Sequence, residues 1–277
     1  MGDGKSGLQL RSLLKKSGEL EISLANVPTP EPADDEVVVR VEASPINPSD
    51  LGLLIGPADM STAKVSGSAE APVVTAKMPD AAIRMMGARL DQSMPVGNEG
   101  AGTVIATGDS DMAKALMGQR VACVPGHAYS QYAIADAGMC LPLGDISSEA
   151  GASAFVNPMT ALGFVENAKV DGQKAIVHAA AASNLGQMLV KICQEDDIEL
   201  VNIVRKPEQE AILRDLGAKW VVNSSAPDFM AKLMEAIDAT DAYYGFDPIG
   251  GGTTVDACFK AMERVAVGKM KDYNRYG

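Results

Sequence analysis

A strand-to-helix turn near the middle of the chain holds the strongest chemical signal. An apolar run that starts at Ile176 leads through Ala-rich sequence to Gly186, and Ala180, Ser183 and Gly186 keep small side chains at three-residue spacing. Small residues at such a turn let backbone N–H groups approach a pyrophosphate at the N-terminus of the following helix. The turn therefore predicts dinucleotide binding, although close packing of an Ala-rich turn would use the same residues.

The next apolar run ends in two cations. It reads Val-Asn-Ile-Val-Arg-Lys, and its Arg205 and Lys206 follow Gly186 by the ~20 residues at which NAD-binding domains hold an acidic residue for the ribose 2′-hydroxyl. A cation at this position suits a 2′-phosphate instead. We therefore expect NADP rather than NAD, unless the two cations only solvate the end of a strand.

The elements that position these residues fall into two halves of the chain with different sequence patterns. The first half contains short β-like runs broken by Pro and Gly, at residues 19–27, 36–43, 102–107, 120–124 and 129–134. The second half alternates strands, at 174–179, 200–204, 220–223 and 242–247, with helices at 185–194, 207–216 and 227–237. Such alternation indicates a doubly wound parallel sheet. We place a β-rich domain at residues 1–145 and a dinucleotide-binding domain at 146–277.

Two segments fit neither pattern. Residues 56–94 are rich in Ala, Ser, Pro and Met without a clean strand pattern, so we expect a mobile loop or a short helical excursion there. The alternation of strands and helices stops after four strands at a polar tail, residues 269–277, whereas doubly wound nucleotide domains have about six strands. The second domain is therefore expected to be incomplete at its C-terminal end.

The composition disfavours several classes of partner. Lys and Arg total 24 against 36 Asp and Glu, and the resulting net charge of −12 opposes binding to nucleic acid or to an anionic membrane. No apolar run approaches the ~18 residues of a membrane span, and charges occupy the N-terminal stretch where a signal peptide would be apolar. We therefore expect a cytoplasmic protein. The four cysteines form no C-x-x-C pair and are expected to be buried free thiols.

Four motifs occur in the order that one known family has them. They are Ser44-Pro-Ile-Asn-Pro-Ser-Asp50, Pro95-Val-Gly-Asn-Glu-Gly-Ala-Gly-Thr-Val104, Asn157-Pro-Met-Thr-Ala161 and Phe246-Asp-Pro-Ile-Gly250. Together they make the chain resemble the zinc-independent, quinone oxidoreductase-like branch of the medium-chain dehydrogenase/reductases. The resemblance implies an α/β protein in which a GroES-like β-rich domain precedes a Rossmann domain, with the active site in the cleft between the two.

The resemblance also implies roles for single residues. Asn47 and Asp50 would line the substrate cleft beside the nicotinamide as catalytic residues, and Tyr132, or alternatively Tyr129, could face the same cleft as a proton donor. The residues implied in cofactor binding, besides those of the turn and the cations, are Asn157, Thr160, Asp247 and Gly250. Ordinary turn formation and strand packing are the alternative interpretations of these residue types.

Departures from the zinc-dependent relatives are equally informative. Asn98 stands where zinc alcohol dehydrogenases have a ligand His, the ligand Cys expected near Ser44 is missing, and there is no four-cysteine lobe. We therefore predict no metal site and favour reduction of an already polarised acceptor over alcohol oxidation. The tyrosines that the family places after Asp50 would fall at Gly52 and Ala58, so this loop offers no obvious side-chain proton donor.

Three functions stay open on the sequence alone. The leading hypothesis is transfer of a hydride from NADPH to a small-molecule quinone or to the β-carbon of an α,β-unsaturated carbonyl, by a homodimer. A 2-enoyl-thioester reductase is the second, because residues 182–186 and 201–205 resemble those enzymes as well. A non-catalytic NADPH-binding protein of the same fold is the third, and the missing tyrosines would suit it.

Overall fold

The computed structural model describes residues 6–29, 31–250 and 252–270. The chain divides into two compact units, of which the first ends at Val156 and the second begins at Asn157. Ala152 and Phe155 belong to the first unit because they pack against Ala101 and Ala122 of its sheet. Of the predicted polar tail, residues 269–277, the part from residue 271 onward lies outside the described residues.

The first unit is built from two antiparallel sheets of five strands each. The first sheet has the order β4-β5-β2-β1-β6 and consists of β1 (Ser6–Leu14), β2 (Glu19–Pro28), β4 (Asp59–Gly67), β5 (Pro72–Lys77) and β6 (Ser93–Pro95). The second has the order β10-β8-β7-β3-β9 and consists of β3 (Glu36–Ala43), β7 (Gly100–Thr107), β8 (Arg120–Cys123), β9 (Tyr132–Asp136) and β10 (Cys140–Pro142). The short helices of the first unit are α1 (Pro48–Leu54), α2 (Asp80–Met85), α3 (Asp111–Ala115) and α4 (Ser148–Gly151).

The second sheet of this unit encloses much of its core. Strand β3 carries three consecutive valines that are all buried, because both faces of this central strand are covered. Val37 and Val39 pack with Val104 of β7 and Val121 of β8. A continuous apolar run is what a strand covered on both faces requires, and this is why the sequence predicts β3 with its observed bounds.

The prediction that residues 56–94 form a mobile loop is wrong, and the alternative, a short helical excursion, holds only for Asp80–Met85 and Gly87–Arg89. This segment forms β4, β5, α2, a short 3₁₀ turn at Gly87–Arg89, and β6 instead of a loop. Strand β4 is the outermost strand of its sheet and is exposed at almost every position, including Val65 at 78%. A strand exposed on both sides has no apolar alternation, so the signal on which the prediction relied is absent.

The second unit is a four-stranded parallel sheet with the order β13-β12-β11-β14. Its strands are β11 (Ala175–His178), β12 (Glu199–Val204), β13 (Trp220–Asn223) and β14 (Gly245–Phe246). Its helices are α5 (Val156–Val170), which starts at the last residue of the first unit, α6 (Asn184–Glu195), α7 (Pro207–Asp215), α8 (Phe229–Thr240) and α9 (Thr253–Lys269). The predicted strands and helices are therefore present, with bounds that differ by a few residues.

Helices cover both faces of this sheet. On one face, Ile176 and Leu200 of the strands pack against Leu189 of α6 and Leu213 of α7. On the other face, a second cluster joins the sheet to α8 and α9, through Val177, Val201, Leu233, Ile237 and Ala261. This arrangement confirms the predicted fold class, a β-rich domain followed by a doubly wound, Rossmann-like parallel sheet. No helix among the described residues combines the length and the apolar character that crossing a membrane requires.

Candidate functional site

The turn between β11 and α6 is capped by a side chain and closely packed. Ser183 is the N-cap of α6, and its Oγ accepts a hydrogen bond from the Gly186 backbone N–H at 3.1 Å. A Cβ added to Gly186 would lie 2.0 Å from the Ala181 carbonyl oxygen, so the helix meets the turn too closely for any side chain there. Ala180 has a φ of 51°, a left-handed conformation that favours glycine.

An open cavity of about 870 Å³ begins at this turn and lies within the second unit. Residues from the turn, from the ends of β12 and β13, and from α8 and α9 line it, among them Ala180, Arg205, Ser224, Lys260 and Arg264. Three cations therefore face one cavity in a chain of net charge −12. A cavity of this size lined by three cations suits a nucleotide carrying phosphates.

The sequence analysis missed two of these cations. Lys260 and Arg264 lie on α9, on the same helix face because they are four residues apart, and they line the cavity together with Arg205. Lys260 also forms an ion pair with Asp256 at 2.6 Å. Their spacing in the sequence would have indicated a shared helix face, but only the packing of α9 against α8 brings that face to the cavity.

The other predicted cofactor residues are not among those that line this cavity. Lys206 caps α7, and its backbone N–H donates to Gln209 Oε1 at 3.1 Å. Asp247 accepts backbone hydrogen bonds from Ile249 and Gly250 at 3.1 and 3.0 Å, so its carboxylate shapes its own turn. Asn157 and Thr160 lie in the first two turns of α5.

His178 ends β11 and is fully buried. Neither of its ring nitrogens has a hydrogen-bond partner, and the Phe164 ring lies 5.9 Å away between ring centroids. Burial lowers the pKa of His178 to about 4, and the negative charge of Asp247 opposes this shift only in part. The imidazole is therefore neutral near pH 7 and belongs to the core beneath the turn.

In the first unit, the structure brings together Asn47, Asp50 and Glu99, which are at most 5% exposed. Asn47 Nδ2 donates to Glu99 Oε1 at 2.9 Å, and the Asn47 backbone N–H donates to Asp50 Oδ2 at 2.9 Å. The remaining carboxylate oxygens accept backbone N–H groups: Asp50 Oδ1 from Asn98 at 2.7 Å, and Glu99 Oε2 from Phe155 and Val156. We call these residues, with Asn98, the acid network.

All four carboxylate oxygens of the acid network therefore have an N–H donor. Buried polar atoms with hydrogen-bond partners avoid the desolvation cost that an unpaired buried group would carry. Asp50 holds the start of α1 against the loop at Asn98, while Glu99 connects Asn47 to the chain at Val156. The sequence analysis quoted Glu99 only as part of a motif, because its backbone partners are far away in the sequence.

The structure brings Tyr129 beside Asp50 and puts Tyr132 in other surroundings. The Tyr129 hydroxyl donates to the Pro45 carbonyl oxygen at 2.9 Å. Burial, followed by the negative charge of Asp50, raises the pKa of Tyr129 above its ordinary value. Tyr132 lies on β9 and lines a separate cavity of about 230 Å³ with Gly7 and other residues of the first sheet.

The family resemblance matches Asn98 to the metal-binding His of zinc-dependent relatives. Its side-chain Nδ2 donates to Ser49 Oγ at 2.8 Å. In the part of the chain that the structure describes, no three residues of the types His, Cys, Asp or Glu come close enough to hold a metal ion. The predicted zinc independence rests on these residue types and stays a prediction.

Comparison with known proteins gives consistent results. The sequence profile described as Alcohol dehydrogenase GroES-like domain matches residues 33–163. The crystal structure of a provisionally assigned NADPH:quinone reductase of Mesorhizobium loti is similar with a TM-score of 0.71 and 30% identity, over 95% of this chain and 72% of that one.

Two curated relatives are more distant. Prostaglandin reductase-3 of Mus musculus is 22% identical over 250 residues, which is 89% of this chain. A mitochondrial enoyl-[acyl-carrier-protein] reductase of Xenopus tropicalis is 29% identical over 229 residues, or 78% of this chain. The chain spans 58% and 57% of the lengths of these two relatives.

The fold and these similarities define the class. The chain belongs to the medium-chain dehydrogenase/reductase superfamily, with a GroES-like first domain and a Rossmann-like second domain. Within that superfamily its structural neighbours are quinone oxidoreductase-like, which is the branch that the four sequence motifs indicate.

Proposed function

We propose that the protein is an NADPH-dependent oxidoreductase that transfers a hydride to a quinone or to an α,β-unsaturated carbonyl without zinc. The observation that carries this proposal is the cavity of the second unit, which combines a turn of small residues with the cations Arg205, Lys260 and Arg264. The similarity to an NADPH:quinone reductase and to a prostaglandin reductase supports the same chemistry.

The residues present fit the dinucleotide in two ways. At the β11–α6 turn, Gly186 lets the helix pack closely against the turn, and the small Ala180 leaves the backbone beside the cavity accessible to a pyrophosphate, which the N-terminal end of α6 would attract. Arg205 would pair with the 2′-phosphate, assisted by Lys206. When bound, the cofactor supplies the hydride, and the protein supplies orientation and exclusion of water.

For the other proposed contacts the supporting observation is their position in the fold. Asn157 and Thr160 on α5, and Asp247 and Gly250 in the turn after β14, would contact the nicotinamide half of the cofactor.

Asn47 and Asp50 are proposed to hold the substrate side of the reaction in place. Because both oxygens of Asp50 accept backbone hydrogen bonds, it acts in this proposal by fixing the loop at Asn98 rather than by moving a proton. The proton would come from water or from a tyrosine. Tyr129 is the better-supported tyrosine because it lies beside Asp50, whereas Tyr132, the residue favoured by the sequence, lines a separate cavity.

A 2-enoyl-thioester reductase is the alternative that one observation favours, namely the 29% identity to the enoyl-[acyl-carrier-protein] reductase of Xenopus tropicalis. The residue at position 52 opposes this alternative, because Gly52 stands where the resemblance would place a tyrosine. Apart from its chain neighbours and the backbone of its own helix, no atom of the described residues lies within 4 Å of the position that a Cβ would take there, so no neighbouring group replaces the tyrosine. A non-catalytic NADPH-binding protein would have the same cavity and no turnover. A homodimeric assembly and a cytoplasmic location are further predictions, carried by the family resemblance and by the sequence.

Cofactor titration combined with an acceptor panel tests the proposal. Wild-type protein should bind NADPH more tightly than NADH, and Arg205→Ala should weaken NADPH at least tenfold, by about 1.5–3 kcal/mol, while leaving NADH nearly unchanged. Arg84→Ala, which removes an exposed arginine of α2 in the first unit, is the matched control. Oxidation of NADPH by quinones, enones and enoyl-thioesters then identifies the acceptor class.

Equal affinity for the two cofactors, or an Arg205→Ala variant that binds NADPH as wild type does, would contradict NADPH selectivity. Tight NADPH binding without turnover of any acceptor would favour the non-catalytic alternative. Turnover confined to enoyl-thioesters would favour the second enzyme.

A further inference from the structure

Two cysteines face each other across neighbouring strands of the first unit. Strands β8 and β10 are antiparallel, and their register pairs Cys123 directly with Cys140, next to the pair Ala122 and Leu141. Side chains at directly opposed positions of an antiparallel pair lie on the same face of the sheet. Both cysteines pack accordingly against one core cluster.

The hydrogen-bond pattern shows which kind of pair this is. The Leu143 backbone N–H donates to the Arg120 carbonyl oxygen at 2.9 Å, which marks residues 120 and 143 as a hydrogen-bonded pair. Such pairs alternate with non-hydrogen-bonded pairs along an antiparallel ladder, so Cys123 and Cys140, three pairs further along, form a non-hydrogen-bonded pair. Their Cα atoms are then about 4.5 Å apart, within the range of about 4.4–6.8 Å that disulfides span.

The two thiols differ in access and in acidity. Cys123 is fully buried, whereas Cys140 is partly exposed, and the Cys140 Sγ lies 3.4 Å from the Asp136 carbonyl oxygen. A hydrogen bond from the Cys123 thiol lowers the pKa of Cys140, and the same bond together with burial raises the pKa of Cys123. Because it is the more exposed of the two, Cys140 is the thiol that an oxidant reaches first.

We propose that Cys123 and Cys140 are an oxidisable dithiol that closes to a disulfide when the protein meets a hydroperoxide. In the first step the Cys140 sulfur attacks the terminal peroxide oxygen, the O–O bond breaks, and an alcohol, or water when the oxidant is hydrogen peroxide, leaves. Cys140 is then a sulfenic acid. In the second step the Cys123 sulfur attacks the Cys140 sulfur, and the hydroxyl group leaves as water with the proton of Cys123.

The other two cysteines serve as internal controls. Cys193 lies on α6 in one core cluster and Cys258 on α9 beside the cluster on the opposite face of the sheet, so neither has a cysteine partner. Burial is the main cause that raises the pKa of Cys193 to about 12 and that of Cys258 to about 11. Both thiols are expected to stay reduced under conditions that oxidise the pair.

The test is peptide mapping of the full chain after treatment with hydrogen peroxide and alkylation of the remaining thiols. We expect a cross-linked peptide pair containing Cys123 and Cys140, a loss of two thiols per chain, and recovery of both with dithiothreitol. This measurement needs only the wild-type protein, so its outcome does not depend on the folding of any variant.

Two variants sharpen the result. In Cys140→Ala, Cys123 should keep its thiol under the same treatment, and Cys258→Ala should form the cross-link as wild type does. The proposal is overturned if Cys140 proceeds to a sulfinic acid while Cys123 stays a free thiol. Formation of the cross-link only between two chains, or no reaction at either cysteine, would overturn it as well.

Discussion

Buried carboxylates are unusual at the residue scale, and the described part of this chain has two of them, Asp50 and Glu99. Asp50 and Glu99 are each 1% exposed, yet all their oxygens accept N–H donors. Hydrogen bonds to a charged acceptor are stronger than neutral ones and expensive to lose when buried. The acid network is therefore as much a stabilising feature of the first unit as a candidate part of the active site.

Glu99→Gln tests that interpretation. The substitution keeps the shape but replaces one acceptor oxygen with an NH₂ group, which would face either Asn47 Nδ2 or the N–H groups of Phe155 and Val156. We expect the free energy of unfolding to fall by about 2–3 kcal/mol in urea titrations. Glu149→Gln, at an exposed position of α4, is the control and should change it by less than about 0.5 kcal/mol. A variant as stable as its control would contradict the prediction.

His178 predicts a pH dependence of stability. Its pKa is about 4 in the folded protein and about 6.5 in an unfolded chain, so the unfolded chain binds the proton more readily. Stability is therefore unaffected above pH 6.5 and is lost as the pH falls from 6.5 towards 4. Through this group alone we expect about 2 kcal/mol less stability at pH 5 than at pH 7.

Urea unfolding of wild type and of His178→Leu at both pH values measures this loss. The variant keeps every other titrating group, so the difference between the two pH dependences isolates the imidazole. Identical pH dependences would show that His178 does not stay neutral in the folded protein.

At the element scale, the N-terminus of α6 combines two tasks that sequence reasoning kept apart. The sequence pattern indicates Ser183 only as a small residue beside the cofactor. Its hydroxyl caps the helix, however, and removing such a cap costs about 1 kcal/mol. Stability and cofactor affinity must therefore be separated by choosing substitutions that change only one of them.

Ser183→Thr and Ser183→Ala make that separation. Threonine keeps a capping hydroxyl and adds a methyl group, so we expect nearly unchanged thermal stability but at least a tenfold weaker affinity for NADPH if the pyrophosphate approaches this turn. Alanine removes the cap without adding bulk, and should lower stability by about 1 kcal/mol with a smaller effect on affinity. Thermal unfolding and NADPH titration of both variants are the measurements, and a threonine variant with wild-type affinity would contradict the proposed phosphate site.

How well each element could be predicted depends on what surrounds it. Strands β3 and β13 are predicted with their observed bounds, because buried apolar runs leave a clear pattern. Strand β4 leaves no such pattern because it is exposed. Glu99 and Lys260 could not be assigned in advance, since contacts between segments far apart in sequence give them their surroundings. Ala180 has the left-handed backbone conformation that favours glycine, and its residue type gives no sign of this in the sequence.

For the whole molecule, metal independence is the most direct prediction. The Asn98 amide is a poor zinc ligand and is already bonded to Ser49. After dialysis against a chelator we expect elemental analysis to find zinc well below one atom per chain, with NADPH oxidation unchanged. Stoichiometric zinc whose removal abolishes turnover would contradict both this prediction and the proposed reaction.

The exposed hairpin of β4 and β5 also has a practical use. It stands at the edge of its sheet, its turn at residues 68–71 is exposed at nearly every position, and the acid network draws no residue from it. Loop tips of this kind accept inserted peptides because few buried contacts are disturbed. An epitope or a fluorescent label placed after Glu70 would therefore follow the protein in binding and turnover experiments while leaving the proposed cofactor cavity intact.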